Sequence, residues 1–508
     1  MSDKHPETDV AVDAALKAVP AERQLKYQRE AFYGFIHFGM NTFTDRGWGT
    51  GREAPELFNP SDLDTDQWVA AMKSAGMKGV ILTAKHHDGF CLWPSKYTEH
   101  SVKNSSWKNG RGDVVHELSE SCEKYQMKLG IYLSPWDMNH PGYGTPAYND
   151  YFLNQMTELL SNYGEIFSVW FDGACGEKKK KQDYDWSAFY QLIRKLQPDA
   201  VISNSGPDVR WCGNEAGYCR PQEWCVVPRA LSDSNLIAAG SQRDDNAAFA
   251  RKFDATDQDL GSRKAIEGIT DLIWYPSEVD VSIRPEWFYH SKEDHKLKSL
   301  KKLLRIYFDS IGGNNALLLN VPPDKTGRFQ KNDIDRLKAL GQALQKIFSR
   351  DLAAGARVEA VSKPGGMPEA LIDQQEDTHW QSPEGSESSV ITLTLPTETT
   401  FNIVDLQEFI ENGQRIEKFS LAVEEAGSWK TVVQGSTIGN RKLCLFPAVT
   451  SRQLRLEVSE ARAAPSLRAL KIYNTDQIRP MTALEQLCHQ IQSRVIRWVD
   501  HLYVRFFM

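Results

Sequence analysis

The feature that most constrains the fold is a repeated alternation of short apolar runs with amphipathic segments, which begins near Tyr33. The runs 79–85, 129–133 and 168–171 are too short for helices and are bounded by turn-forming residues, so we predict that they are buried strands. Segments with apolar residues at helical spacing, such as 114–126, follow between them. This alternation predicts a parallel sheet whose two faces are covered by helices.

The number of repeats indicates how this sheet closes. The alternation extends over roughly 320 residues, which favours a (β/α)8-like barrel over an open doubly wound sheet. No G-x-G-x-x-G turn follows the first predicted strand, 34–39, which further weakens the prediction of a nucleotide-binding sheet. The predicted fold class of this part of the chain is therefore α/β, with a (β/α)8-like barrel.

The pattern changes after about residue 350. Turns rich in serine and glutamate separate short alternating runs, such as 390–395, 419–423 and 454–458, which is typical of an antiparallel β-sandwich. The last segment, 484–508, returns to helical spacing. We therefore expect three parts: a catalytic barrel with a short N-terminal leader over 1–348, a β-sandwich over 349–478 and a C-terminal helical extension over 479–508.

Composition and charge narrow the range of partners. A net charge of −7 with a pI near 6.0 argues against a nucleic-acid partner. No stretch approaches the apolar length of a membrane span, and residues 1–10 lack the apolar core of a signal peptide. Eight cysteines in a chain of 508 residues do not suggest a disulfide framework, so we expect a cytoplasmic protein, with a periplasmic or secreted one as the alternative. The C-terminal segment, with Leu487, Ile491 and Val495 at helical spacing, is expected to pack on the fold, with a membrane contact or a partner contact such as oligomerisation as the alternative.

Polar or aromatic side chains follow the predicted strands. Five of them come at or just after successive strand ends: His37, His86, Trp136, Asp172 and Asn204. In a barrel these ends share one face, and active sites lie at that face. An ionised carboxylate such as Asp172, at the end of an apolar strand, is costly to desolvate unless it is paired or used. Capping of the next loop is the alternative for Asp172.

Glu215 is a candidate for a second carboxylate at this face. Gly213 and Gly217 flank it and allow the backbone to approach a ligand closely. An Asp–Glu pair suits hydrolysis of a glycosidic bond, because one carboxylate attacks the anomeric carbon while the other protonates the leaving oxygen. The chain contains 67 Asp and Glu residues, so the pattern alone leaves the pairing with Asp172 open.

His86 and His87 have two interpretations, metal ligation and hydrogen bonding to substrate hydroxyls. Adjacent residues of an extended strand point to opposite sides, so we do not expect both imidazoles to bind a single ion. Hydrogen bonds to a substrate fit better, with a buried structural histidine as the alternative for one of the two. Cys212, Cys219 and Cys225 are seven and six residues apart and match no C-x-x-C zinc pattern. No metal site is therefore expected.

Several motifs together point to a known family. Four motifs follow one another along the chain: Phe-Ile-His-Phe-Gly at 35–39, Thr-Ala-Lys-His-His-Asp-Gly-Phe-Cys-Leu-Trp at 83–93, Tyr-Leu-Ser-Pro-Trp-Asp at 132–137 and Trp-Phe-Asp-Gly at 170–173. In sequence and order they resemble the α-L-fucosidases of glycoside hydrolase family 29. This resemblance implies a (β/α)8-like barrel followed by a β-sandwich, no cofactor and a fucosylated oligosaccharide as substrate. Segment 211–217, Trp-Cys-Gly-Asn-Glu-Ala-Gly, further resembles the subfamily that is selective for α-1,3/1,4-linked fucose.

The resemblance implies roles for nine residues. Asp172 would be the nucleophile and Glu215 the general acid/base. The remaining residues would bind or enclose the sugar: His37, His86, His87 and Glu53 through hydrogen bonds, Tyr132 next to the nucleophile, and Trp93 and Trp287 as walls of the pocket. For Trp287, a position in the apolar core is the alternative.

The sequence therefore predicts a retaining exo-α-L-fucosidase. It would remove terminal α-1,3- or α-1,4-linked fucose from branched, Lewis-type oligosaccharides through a covalent intermediate. The alternatives are a broad-specificity fucosidase that accepts α-1,2 links and a catalytically silent fucose-binding lectin. The presence of both Asp172 and Glu215 speaks against the lectin. The predicted sandwich is expected to pack against the barrel, with glycan binding as the alternative.

Overall fold

The computed structural model describes residues 6–172, 181–234, 237, 259–489 and 491–492. Two sequence predictions lie outside the described residues: Gly173 of the 170–173 motif, and residues 493–508 of the C-terminal extension. The described chain forms a β-barrel covered by helices, followed by an antiparallel β-sandwich.

Eight strands of the first part form one parallel sheet, in the order β5-β4-β3-β2-β1-β10-β9-β6. A bridge between Ser203 and Val209 brings the two ends of the sheet together, so the barrel is nearly closed. The predicted (β/α)8-like barrel is confirmed. The strands of this part are β1 (Phe32–Ile36), β2 (Gly79–Lys85), β3 (Lys128–Leu133), β4 (Ile166–Phe171), β5 (Val201–Asn204), β6 (Arg210–Trp211), β7 (Val226–Pro228), β8 (Leu272–Trp274), β9 (Ser277–Ser282) and β10 (Asn315–Asn320).

Helices lie outside the barrel, and several begin at residues that suit a helix N-terminus. The side chains of Asp64, Asp113 and Asp185 each accept a hydrogen bond from a backbone N–H of the first turn that follows. The described helices are α1 (Pro6–Lys17), α2 (Glu22–Glu30), α3 (Met40–Thr44), α4 (Thr65–Ser74), α5 (Val114–Tyr125), α6 (Ala147–Asn162), α7 (Trp186–Leu196), α8 (Leu300–Ser310) and α9 (Lys331–Phe348).

Alternation along the strands fills the barrel with apolar side chains and brings polar ones to its carboxyl end. Phe35, Tyr132 and Trp170 pack with one another inside the barrel. Because side chains two residues apart in a strand share a face, His37 follows Phe35 and Asp172 follows Trp170 on the inner side. The polar groups therefore lie above a layer of aromatic rings.

One predicted barrel strand is wrong. The apolar run 268–274 predicts one more strand of the barrel, but the strand within it, β8, pairs antiparallel with β7 outside the barrel. The barrel strand that follows is β9, which pairs with β10 and β6. Its inward positions hold Glu278 and Asp280, so it lacks the apolar run on which the prediction depended.

The N-terminal residues are more ordered than a leader. Residues 1–20 were expected to be a polar leader, yet α1 packs through Ala11 and Ala15 against Leu272 and Trp274 of β8. Alanines at this spacing form a narrow apolar face on an otherwise polar helix.

The second part of the chain is the predicted β-sandwich. All its strand pairs are antiparallel. The two long strands β13 and β16 change register along their length, which lets each take part in both layers. The strands are β11 (Arg357–Ala360), β12 (Trp380–Gln381), β13 (Ser389–Glu408), β14 (Ile416–Glu425), β15 (Ser428–Gly435), β16 (Lys442–Ala461) and β17 (Ser466–Tyr473).

The sandwich and the barrel share part of their core. Leu443 and Tyr473 of the sandwich belong to the apolar cluster between the barrel strands and their helices. The backbone N–H of Asn440 also donates to Asn314 Oδ1 at 2.8 Å, next to the start of β10. The domain boundaries predicted near residues 348 and 478 stay predictions.

The described part of the C-terminal extension is helical at residues 483–489 and 491–492, and we call it the C-terminal helix. Leu484, Leu487 and Ile491 are exposed on it, at 71%, 53% and 51% of their surface. Self-association through this helix stays a prediction. Across the described residues, every helix is either too short or too polar to cross a lipid bilayer.

Candidate active site

Asp172 lies at the carboxyl end of β4 with a tyrosine and a histidine beside its carboxylate. The Tyr132 hydroxyl donates to Asp172 Oδ2 at 2.8 Å, and His87 Nε2 lies 3.6 Å from the same oxygen. The Asp172 side chain is 26% exposed, so it is accessible from the barrel mouth. The carboxylate is thus held in place without being sealed from a ligand.

The hydrogen bonds of His87 indicate its tautomer. Ser134 donates its only hydroxyl hydrogen to the Trp136 carbonyl at 2.7 Å, so Ser134 Oγ accepts from His87 Nδ1–H, also at 2.7 Å. Burial lowers the pKa of His87, although the charge of Asp172 opposes this. In the neutral ring, Nε2 then carries a lone pair that faces Asp172, and this arrangement suits a donor hydroxyl placed between them.

His37, which follows β1, is fixed in the same way by Asn320 of the neighbouring strand β10. Its Nδ1 lies 2.9 Å from Asn320 Oδ1. The amide nitrogen of Asn320 donates to Ser282 Oγ and to the Trp287 carbonyl, which identifies Oδ1 as an acceptor. Burial lowers the pKa of His37 to about 3. His37 is therefore neutral at physiological pH, with hydrogen on Nδ1 and an acceptor at Nε2.

His86 lies beside His87, and the expectation that they point to opposite sides is wrong. The two residues follow β2 in a turn, closed by a bond from the Gly89 N–H to the His86 carbonyl, and their ring centres are 4.1 Å apart. A side chain at Gly89, which has a φ of +81°, would meet Asp137 Oδ1 at 2.3 Å, so the turn requires glycine.

The turn gives His86 a different role from its neighbour. Asn41 Nδ2 lies 3.3 Å from His86 Nδ1, which places the hydrogen of the neutral ring on Nε2. Burial holds the pKa of His86 well below its usual value. Ligand atoms of His86, His87 and Asp172 all lie within 4.8 Å of one another. This spacing could suit a cation as well as the hydroxyls of a sugar.

Glu215 lies on an exposed loop at the same end of the barrel, where an indole holds it. Trp287 Nε1 donates to Glu215 Oε2 at 2.9 Å. The neighbouring Asn214 shapes the loop, because its Oδ1 accepts from the N–H groups of Ala216 and Tyr218, both at 3.1 Å. The side-chain amide of Asn214 thus takes the place of a backbone acceptor for two N–H groups of the loop. The loop in this form exposes Glu215 to solvent.

Trp287 connects the two carboxylate regions. Its ring centre is 4.9 Å from that of His37 and 6.1 Å from that of Phe35, and the residue is only partly buried. The His37 ring in turn lies 6.1 Å from that of Tyr132, the donor to Asp172. The structure therefore places Trp287 beside Glu215 and His37, and its contact with the sugar stays a prediction.

A third carboxyl group, Asp280, was missed by the sequence reasoning. Trp211 Nε1 donates to Asp280 Oδ1 at 2.6 Å. Burial, together with the charges of Glu215 and Glu278, raises the pKa of Asp280 well above its usual value. The alternation of polar and apolar residues in β9 is the signal that could have found it.

Two tryptophans near His87 were given no role in the site, although Trp136 was predicted to lie at its face. Trp48 is 39% exposed, and its ring stands edge-on to His87 and Trp136 at centroid distances of 5.7 and 5.5 Å. The Trp136 ring lies 4.9 Å from His87. The Gly47-Trp48-Gly49 sequence was a weak signal, since an aromatic residue between glycines is typical of a loop that approaches a ligand.

Glu53 lies in the loop behind Trp48. Its carboxylate accepts from the Thr50 N–H, the Thr50 hydroxyl and the Arg52 N–H, at 2.6, 2.8 and 3.0 Å. Burial raises its pKa, but these hydrogen bonds outweigh that effect and lower it. The contact of Glu53 with a sugar stays a prediction.

Trp93 is the one predicted site residue that the structure separates from the others. It is 2% exposed and belongs to the core between strands and helices, and its indole donates to Glu158 of α6 at 2.8 Å. The expectation that Trp93 walls the pocket is therefore corrected. The polar partner of its indole lies on the outer helix layer.

Comparisons with known proteins show similarity along most of the chain. The family model described as alpha-L-fucosidase matches residues 17–347, and that of the F5/8 type C domain matches residues 357–470. Alpha-L-fucosidase 1 of Arabidopsis thaliana is 42% identical over 465 residues, which cover 90% of this chain and 87% of that protein.

Solved structures extend the similarity. A glycoside hydrolase 29 family member from an unknown rumen bacterium is 38% identical with a TM-score of 0.74, and the match covers 92% of this chain and 78% of that one. A Ruminococcus gnavus GH29 fucosidase in complex with fucose is 32% identical with a TM-score of 0.78, covering 91% of this chain and 96% of that one.

Proposed function

The chain belongs to the α-L-fucosidase family, glycoside hydrolase family 29, and from this premise we propose that it is a retaining exo-enzyme selective for α-1,3- and α-1,4-linked fucose. As an α-L-fucosidase it hydrolyses the bond between fucose and its leaving group. The observation that carries the proposal is the pair of held carboxylates, Asp172 beside Tyr132 and Glu215 beside Trp287.

In the first step, Asp172 attacks the anomeric carbon of fucose. The bond from carbon to the leaving oxygen breaks, and that oxygen takes its proton from Glu215. Because Trp287 donates to Glu215 Oε2, the acidic hydrogen is assigned to Oε1. The products of this step are a fucosyl ester on Asp172, a Glu215 carboxylate and the shortened glycan.

In the second step, Glu215 acts as a base. It removes a proton from a water molecule, and the water oxygen attacks the anomeric carbon from the side that the leaving group vacated. The ester bond to Asp172 breaks, and both carboxyl groups return to their starting states. Two successive inversions give net retention, with carboxyl groups about 5–5.5 Å apart in the competent enzyme.

Sugar hydroxyls are recognised by neutral imidazoles. His37 and His87 offer acceptors at Nε2, whereas His86 offers a donor at Nε2. Neutral rings make these bonds without forming an ion pair with the Asp172 carboxylate, which would stabilise it before attack and reduce its nucleophilicity. The aromatic face of Trp287 suits the apolar face of the sugar.

Linkage selectivity is assigned to the rim around Glu215. A pocket lined by His37, His86 and His87 contacts fucose alone, so the linkage has to be recognised by groups outside it. Segment 211–217 supplies such a rim, and its partly exposed Trp211 is anchored to Asp280. Contacts with a second sugar of a branch use remote binding energy to place the scissile bond against Glu215.

A comparison of three substrates tests this proposal. We expect kcat/KM on a Lewis-type trisaccharide to exceed the values on 2'-fucosyllactose and on an aryl fucoside by about a hundredfold, if several rim hydrogen bonds contribute about 1 kcal/mol each. Equal values would instead indicate a broad-specificity fucosidase. Binding of all three without hydrolysis would indicate a lectin.

Two further measurements test the mechanism. The variant Asp172→Gly should bind fucose but lose several orders of magnitude in kcat, and azide should restore part of the activity. Proton NMR of the first sugar released by the wild-type enzyme should show α-fucose. Initial release of β-fucose would mean inversion and would overturn the proposed double displacement.

A further inference from the structure

The C-terminal helix contacts the loop that carries Glu215. The ring of Tyr218, three residues after Glu215, lies 4.8 Å from the ring of His489, and its hydroxyl donates to Gln492 Oε1 at 3.2 Å. The two family matches together end at residue 470, so this helix lies outside both. The function proposed above gives it no role.

Tyr218 and the C-terminal helix both contact α8. Lys302 Nζ lies 4.9 Å from the centre of the Tyr218 ring, and His489 Nε2 lies 3.8 Å from Asp309 Oδ2. The start of the C-terminal extension is attached to the same helix, because Arg305 donates to the Arg479 carbonyl at 2.7 Å. Tyr218 is therefore enclosed between an element of the barrel and the C-terminal helix.

Within the loop, Asn214 transmits the position of Tyr218 to Glu215. Asn214 Nδ2 donates to the Tyr218 carbonyl at 2.8 Å while its Oδ1 accepts from the Tyr218 N–H at 3.1 Å. Gly217, with a φ of +79°, lies so close to α8 that a Cβ there would meet Ile306 at 3.1 Å. A displacement of Tyr218 would therefore move the backbone on both sides of Glu215.

We propose that the C-terminal helix is a positioning element for Glu215, acting through Tyr218 and Asn214. This inference rests on the proposed function, in which Glu215 is the general acid/base. A carboxyl group on an exposed loop transfers a proton efficiently only when it is held within hydrogen-bond reach of the leaving oxygen. The contacts of Tyr218 with His489 and Gln492 supply that restraint from outside the barrel.

The dependence of the rate on the leaving group distinguishes positioning of the acid from general loss of structure. Fucosyl fluoride has a leaving group that needs little protonation, whereas the sugar of a Lewis-type trisaccharide needs it fully. Misplacement of Glu215 should therefore lower kcat/KM on the trisaccharide and leave kcat/KM on the fluoride nearly unchanged. A loosened nucleophile pocket would lower both values together.

The experiment compares Tyr218→Ala, Tyr218→Phe and His489→Ala with the wild-type chain on both substrates. For Tyr218→Ala and His489→Ala we expect kcat/KM on the trisaccharide to fall roughly tenfold to a hundredfold and that on the fluoride to change less than about twofold. Tyr218→Phe keeps the ring contact and should lose less than about threefold on the trisaccharide. Leu484→Ala, an exposed position on the same helix, is the matched control and should behave as wild type.

Two results would overturn the inference. One is an equal fall on both substrates, which would indicate loss of structure, and the other is no change on either substrate. Glu215→Ala serves as the reference for the proposed function. If Glu215→Ala lowers kcat/KM on both substrates equally, the assignment of Glu215 as the acid fails. If Glu215→Ala shows the leaving-group dependence but the Tyr218 and His489 variants do not, only the proposed role of the C-terminal helix fails.

Discussion

At the scale of single residues, the site works with histidines that are kept uncharged. His37 and His87 each donate from Nδ1 to an acceptor held by further hydrogen bonds, and burial lowers the pKa of both. A charged imidazole would need solvation that the barrel mouth does not provide. Burial, together with the charges of Glu215 and Glu278, has the opposite effect on the carboxyl group of Asp280 and raises its pKa.

The protonation of His37 should be visible in the stability of the protein. Its pKa in the folded protein is about 3 and its ordinary value is 6.5. The unfolded state therefore binds more protons between these values, and stability is lost as the pH falls below about 6.5. Relative to His37→Gln, the free energy of unfolding of the wild type should fall by about 3 kcal/mol between pH 7.5 and pH 4.5.

Urea unfolding of both proteins across this pH range, followed by tryptophan fluorescence, measures the difference. His116 is exposed on α5, so His116→Gln is the control and should leave the pH dependence of the wild type unchanged. A constant difference between wild type and His37→Gln would show that the folded protein protonates His37 normally.

Asp280 should tolerate a neutral analogue. Burial, with the charges of Glu215 and Glu278, raises the pKa of Asp280 well above its usual value and favours the neutral carboxyl group, so Asp280→Asn should retain kcat/KM on the trisaccharide within about threefold. Asp280→Leu removes the acceptor of the Trp211 indole, and an unpaired buried donor lowers the free energy of unfolding by about 1–3 kcal/mol. Steady-state kinetics at pH 7 compare the two variants. A tenfold or larger loss in the Asn variant would mean that the charged carboxylate is required.

At the scale of elements, a buried ion pair supports the turn after β2. Lys85, the last residue of that strand, contacts Asp137 Oδ2 at 3.0 Å and Gln155 Oε1 at 2.9 Å, and its side chain is fully buried. The other carboxylate oxygen of Asp137 accepts from the N–H groups of Asn139 and His140, both at 2.9 Å. The strand end that precedes His86 and the loop after β3 are thereby joined.

Removing one charge of this ion pair should lower the free energy of unfolding more than removing both charges does. Lys85→Met leaves the Asp137 carboxylate buried without its cation, a loss of about 3–5 kcal/mol in the free energy of unfolding. The double variant Lys85→Met, Asp137→Asn removes both charges and should regain most of that loss. Urea unfolding of the two variants and the wild type provides the test, and equal stabilities of the two variants would contradict the expected coupling.

At the scale of the whole molecule, the sandwich supplies part of the barrel's outer core. Leu443 and Tyr473 pack in the cluster that lies between the barrel strands and their helices. The Leu443 N–H also donates to the Gly312 carbonyl at 2.9 Å, just before β10. The expected contribution of the sandwich is therefore to stability, and no residue past about 350 is proposed to take part in the chemistry.

Loss of these contacts between sandwich and barrel should lower the stability of the fold before it lowers the catalytic rate. Leu443→Ala should lower the free energy of unfolding by about 2–5 kcal/mol, because it leaves a cavity in the shared core. Its kcat/KM measured well below the unfolding temperature should stay within about twofold of the wild type. Exposed Val390, on the sandwich surface, provides the control Val390→Ala, which should change neither quantity. Truncation after residue 350 should yield aggregated protein, and a soluble truncation that binds an aryl fucoside but does not cleave it would contradict this account.

The sequence alone determined the barrel, the sandwich and most of the groups at the barrel mouth. Strands and helices differ in the period of their apolar residues, and this period is a local property that a single chain displays. Because parallel strands of a barrel end at one face, the positions of His37 and Asp172 at strand ends predicted that they converge. The resemblance of the motifs added Glu215, Tyr132 and Trp287 to this group.

Tertiary structure alone decided which side chains meet across the barrel. Trp287 reaches Glu215 over 72 positions of sequence, and Trp211 reaches Asp280 over 69. No local period encodes such contacts, since they depend on how the strands pair and how the loops between them close. The same reason explains Trp93, whose aromatic ring suits a pocket wall or a core equally well until the partner of its indole is known. It also explains why the amphipathic pattern of the C-terminal helix did not predict that this helix lies beside the loop of Glu215.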